Sequence, residues 1–142
     1  MEAKPFRGNS RRRQCSSRRG ATVVEFALTA PVFVLFLLAA FEFGWLNVLR
    51  HTSDNAAYEA ARHAMVPGAT ASEAVDKANS ILNVIGTRGA IVTVSPATIT
   101  SATSEVTVSI DVPLKSNSLV VPKFTGSKTL HSEATMRTER AQ

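Results

Sequence analysis

The chain has 142 residues, room for one small domain and an appendage but not for two full-size domains. At 44% hydrophobic and 19% charged residues it is not a disordered chain, and its single cysteine, Cys15, excludes an intrachain disulfide framework and a Cys-rich metal site. The net charge of +5 is concentrated at one end: residues 1–20 hold seven Lys/Arg against Glu2, whereas residues 21–142 hold nine against ten acids, which argues against a basic nucleic-acid-binding face.

Residues 1–20 read as a basic leader that includes Arg11, Arg12, Arg13, Arg18 and Arg19. From Ala21 to Leu49 the chain is apolar, with only Glu25 and Glu42 charged. The uncharged run Phe26–Phe41 (FALTAPVFVLFLLAAF) rises about 24 Å as a helix, short of a hydrocarbon layer of ~30 Å. Adding 21–24 and 43–49 supplies the length if the two glutamates sit near the interfaces or are paired. Residues 21–49 are therefore expected to form a transmembrane helix, with Trp45 placed as an interfacial aromatic. The preceding arginines put the N-terminus in the cytoplasm by the positive-inside rule. A cleaved secretory signal is the main rival. However, the candidate site Leu38-Ala39-Ala40 puts leucine where a small residue belongs, and the apolar run continues past it. A soluble core helix fits poorly beside six net positive charges. Pro31 predicts a kink or local loosening near Ala27–Pro31.

Glu25 is the informative residue. A carboxylate inside a membrane helix is costly, at least ~2.5 kcal/mol at the helix centre and less near the interface, and its own helix supplies no cation within reach. Cleavage after Gly20 would create one, because Ala21 would then carry a free ammonium group able to neutralise Glu25 within a chain or between neighbouring subunits.

The run Arg18-Arg19-Gly20-Ala21-Thr22-Val23-Val24-Glu25-Phe26 resembles a type IV prepilin processing site: basic leader, glycine, glutamate as fifth mature residue, apolar helix. With Ala27-Leu28-Thr29-Ala30-Pro31, Phe41-Glu42-Phe43-Gly44 and Asn55-Ala56-Ala57-Tyr58-Glu59-Ala60-Ala61-Arg62, the segment resembles the TadE-like family of minor pseudopilins of the tight-adherence (Flp) pilus machinery. The resemblance covers about residues 18–65. It implies cleavage between Gly20 and Ala21 by a prepilin peptidase, and a place in pilus assembly. The partners it implies are that peptidase, other pilin or pseudopilin subunits and the inner-membrane assembly platform. No cofactor and no nucleic acid is implied.

Residues 50–142 are expected to form an extracytoplasmic α+β domain. The helix continues through 50–66, where alanines at 56, 57, 60, 61 and 64 form a small-residue stripe, either a packing face for the chain's own sheet or a filament interface. Pro67-Gly68 stops it. Thr70-x-x-Glu73 reads as a capping box for a second helix to about Ile85, with Ala74, Ala78, Ile81, Leu82 and Ile85 on one face and Gly86 as C-terminal cap. The period then changes to two: strands are expected over Ile91–Ser95, Glu105–Val112 and Lys128–Thr138, with 114–125 as a connection. An antiparallel sheet with one face on the helices is the natural solution.

Catalytic signatures are absent from the sequence: there is no HExxH, CxxC, G-x-S-x-G or P-loop pattern. His51 and His63, twelve residues apart, do not share a helix face. A His131–Asp111–serine combination arises by chance in a chain this rich in Ser and Thr. The expectation is a non-enzymatic, single-pass inner-membrane pseudopilin with its α+β domain in the periplasm or cell exterior. The rival is an unprocessed membrane-tethered binding or adaptor domain with no pilus role.

Overall fold

The first element of the computed structural model is a single helix, α1, spanning Ser17–Ala64. The structure describes residues 17–100, 102–119 and 127–137, with side chains from residue 20 onward. Arg11, Arg12, Arg13 and Cys15, and the side chains of Arg18 and Arg19, lie outside the described residues. Helix α1 runs through Pro31 without interruption, so the expected loosening does not break it. Proline removes only one backbone donor, and the Thr29 hydroxyl donates back to the Glu25 carbonyl at 3.0 Å just upstream.

The chain divides into two compact units between Leu37 and Leu38. The first is helix. Its large apolar side chains, among them Val23, Phe26, Leu28, Phe33 and Phe36, are all exposed. The second contains the rest of α1, helix α2 (Ala71–Val84), strands β1 (Ile91–Ser95) and β2 (Glu105–Pro113), the single turn α3 (Leu114–Asn117) and strand β3 (Thr129–Arg137). Residues 38–49, the outer part of the expected membrane span, thus pack with the domain, and Leu49 is fully buried in its core.

Helix α2 follows its sequence signals closely. Thr70 accepts from the Glu73 amide and the Glu73 carboxylate accepts from the Thr70 amide, which satisfies two otherwise orphaned N–H donors. At the other end Thr87 N–H bonds the Leu82 carbonyl and Gly86 N–H bonds that of Asn83, the two bonds of a Schellman cap. Gly86 takes φ +70°, the left-handed conformation that this cap requires.

The sheet has the order β1-β2-β3, antiparallel throughout. Strand β2 lies between the other two, and its alternation becomes burial: Val106, Val108, Ile110 and Val112 are all fully buried. Full burial of such side chains is worth about 1.5–3 kcal/mol each. On β3 the same side carries Leu130, Ser132, Ala134 and Met136. These residues share one core with Ala74, Ala78 and Leu82 of α2 and with Ala56, Ala57, Ala60, Ala61 and Ala64 of α1. The alanine stripe is therefore consumed inside the domain. Small side chains let the helix backbone approach its neighbours, and no face remains there for a filament contact. The other difference from expectation is α3, one helical turn at the start of the segment read as an irregular connection.

Candidate functional site: the apolar helix and its anchoring corner

Gly20 and Ala21 are the fourth and fifth residues of α1. A Cβ placed on Gly20 would meet no atom within 4 Å, so nothing in the described fold requires glycine there. Five positions on, the Glu25 side chain is exposed, and no cation bonds its carboxylate among the described residues. The Thr29 hydroxyl is directed to the Glu25 and Phe26 carbonyls instead. The helix is long and apolar enough to cross a membrane from Gly20 onward, and none of its most apolar window is buried within the protein.

Glu42, the second acid of the apolar segment, is paired. Its carboxylate accepts from the Ser118 hydroxyl at 2.5 Å and from the Leu119 amide at 3.1 Å. One turn further along, the Trp45 indole N–H donates to the Asn117 carbonyl at 2.6 Å. Trp45, read from the sequence as an interfacial aromatic, is a hydrogen-bond donor within the domain. Asn117 organises this corner. Its side-chain amide donates to the carbonyls of Arg88 and Pro113 and accepts from the Arg88 amide, each at 2.8 Å. The side chain is buried, which fits a polar group with all three bonds made. Sequence reading missed Asn117, because an isolated Asn in a Ser/Asn-rich stretch looks like any turn residue. The sharper clue was Glu42, an acid that had to find a donor somewhere.

The exposed face of the sheet brings together a different set. His131 stands opposite Asp111 in the β2–β3 register, with Nδ1 2.8 Å from its carboxylate, and Nε2 lies 3.4 Å from Glu133. These hydrogen bonds, first to Asp111 and then to Glu133, raise the imidazole pKa above its ordinary value. Both ring nitrogens face carboxylates, which leaves neither for a serine hydroxyl. His63 sits elsewhere, half-buried on α1. No cluster of three or more His, Cys, Asp or Glu suited to a metal occurs among the described residues.

Comparison with known proteins adds one match. The family model described as TadE-like protein matches residues 20–62. No curated protein and no solved structure matches the chain. The matched segment begins at Gly20, includes Glu25, Glu42 and Trp45, and ends within the alanine stripe. Over residues 20–62, the exposed apolar helix and the first helical layer of the domain, the chain is similar to TadE-like proteins.

Proposed function

We propose that the chain is a minor pseudopilin of a Tad-type pilus, cleaved between Gly20 and Ala21 by a prepilin peptidase and anchored in the inner membrane by α1. The observation that carries this reading is the exposed apolar helix with a lone carboxylate at Glu25, lying inside the TadE-like match. A helix apolar on all sides and buried by none of its own protein calls for lipid or for other helices. Among the described residues no cation bonds Glu25. Cleavage after Gly20 would supply one, the ammonium of Ala21, on the same or a neighbouring subunit. Among the described residues nothing packs against Gly20, which leaves it free to fit the peptidase, and its place one turn from the start of α1 keeps the unwinding needed for cleavage local. The leader arginines Arg11, Arg12, Arg13, Arg18 and Arg19 hold the N-terminus in the cytoplasm. The α+β domain then lies in the periplasm or outside the cell. Its role is assembly with other pilin subunits and the inner-membrane platform, not catalysis.

Intact mass and N-terminal sequencing of the membrane-extracted protein test this. A mature start at Ala21 is the expected result. A full-length chain in a cell with an active pilus system would instead identify a membrane tether, and a start near Phe41 a secreted domain.

A further inference from the structure

The pairing of Glu42 ties one corner of the domain to the helix residue that follows Phe41. Phe41 is the last uncharged residue of that run and Glu42 follows it directly. Ser118 and Leu119 hold the Glu42 carboxylate through a side-chain hydroxyl and a backbone amide. The Ser118–Leu119 backbone therefore lies within about one helical turn, ~5 Å, of the end of the run.

We propose that this corner, Leu114–Leu119 together with Lys128, rests on the surface of the bilayer that α1 leaves at Phe41. Leu119 inserts at the headgroup–acyl boundary, and Lys115 and Lys128 face lipid phosphates. This rests on the membrane-anchor reading above. Three observations point to lipid as the occupant. The first is length. Ala21–Phe41 is 21 residues, about 31 Å of helix, which matches the hydrocarbon thickness without the residues after Glu42. A span running on to Leu49 would bury the domain's own core helix turn. The second is apolar exposure at a single level. Leu119 is 61% exposed, and Phe41 and Phe43 on either side of Glu42 are 67% and 73% exposed. The third is charge. Lys115 and Lys128 are both exposed, and the Leu114 amide bonds the Lys128 carbonyl, which brings Lys128 into the same corner. Residues 113–119 and 127–130 contain no acid. The Glu42 carboxylate, which reaches the corner, is held by protein donors. An apolar side chain flanked by cations suits an anionic bilayer surface.

The test uses the full-length Cys15→Ser protein in vesicles containing phosphatidylglycerol, with a nitroxide attached through Leu119→Cys. Parallel samples carry the probe at Phe33→Cys, within the apolar run, and at Asn83→Cys, exposed at the end of α2. Depth is read from the relative access of oxygen and a water-soluble nickel chelate. The expected result is loss of nickel access at Leu119 to a level between the other two probes, and its recovery when Glu42→Ala releases the corner. A Leu119 probe as open to nickel as Asn83, with Phe33 in hydrocarbon, would overturn the docking and leave the anchor intact. A Phe33 probe in water would overturn the anchor reading and the docking with it. Dipolar broadening between Leu119 probes that grows with protein density would assign the corner to a second copy of the chain and also overturn the proposal.

Discussion

Replacing Asn117 with alanine removes three hydrogen bonds at once. It orphans the Arg88 N–H, the Arg88 carbonyl and the Pro113 carbonyl. A hydrogen bond of this kind contributes about 1 kcal/mol net, and a buried polar group left without a partner costs about 1–3 kcal/mol. The corner is partly buried, so water reaches some of the orphaned groups, and the expected total is about 2–4 kcal/mol. Against a typical domain stability of about 5–15 kcal/mol that is a large fraction. With a urea m-value of about 1–2 kcal/mol/M for a domain of this size, the midpoint should fall by about 1–4 M. Unfolding of the full-length protein in micelles can be followed by fluorescence of Trp45, the single tryptophan, whose indole donates to the Asn117 carbonyl. Asn117→Asp is the sharper variant. It keeps an acceptor for the Arg88 amide but turns a carboxylate toward two carbonyl oxygens, so it should destabilise at least as much as alanine. A loss below ~0.5 kcal/mol for Asn117→Ala, or near-native stability of Asn117→Asp, would refute this account of the corner.

Ala60→Leu should destabilise the domain by about 1–3 kcal/mol, because Ala60 is fully buried in the domain core. Unchanged stability with lost assembly would return the alanine stripe to an interface role. Because the folded His131 pKa is raised above 6.5, protonated His131 contributes stability that is fully present below that value and is lost as pH rises through the higher folded one. The stability difference between wild type and His131→Gln should therefore be largest at acid pH and vanish at alkaline pH, as followed by denaturation at several pH values. Glu25→Gln should insert and be cut after Gly20 yet fail to assemble, and wild-type piliation of that variant, scored by electron microscopy, would remove the charge-pairing argument. Gly20→Trp should block processing while membrane insertion persists, read as an unshifted mass in the membrane fraction. Normal maturation would count against the cleavage assignment.

The elements themselves were legible in the sequence because each rests on local rules. The two-residue alternation of 105–112, the Thr70/Glu73 capping box and the left-handed Gly86 are properties of neighbouring residues, and they reappear in the structure almost residue for residue. The apolar run and its TadE-like character are likewise local, a matter of composition and of residues close in sequence. What the tertiary structure decided are the contacts between residues far apart in the chain. Glu42 finds Ser118, Trp45 finds Asn117 and Asn117 finds Arg88 only after the sheet has formed, and no spacing rule links positions separated by 76, 72 and 29 residues. The same holds for the alanine stripe. Its composition allows close approach to any partner, and only the folded domain shows that the partner is its own core. A side chain's periodicity states which face of an element it occupies, whereas what that face meets depends on chain closure over long loops.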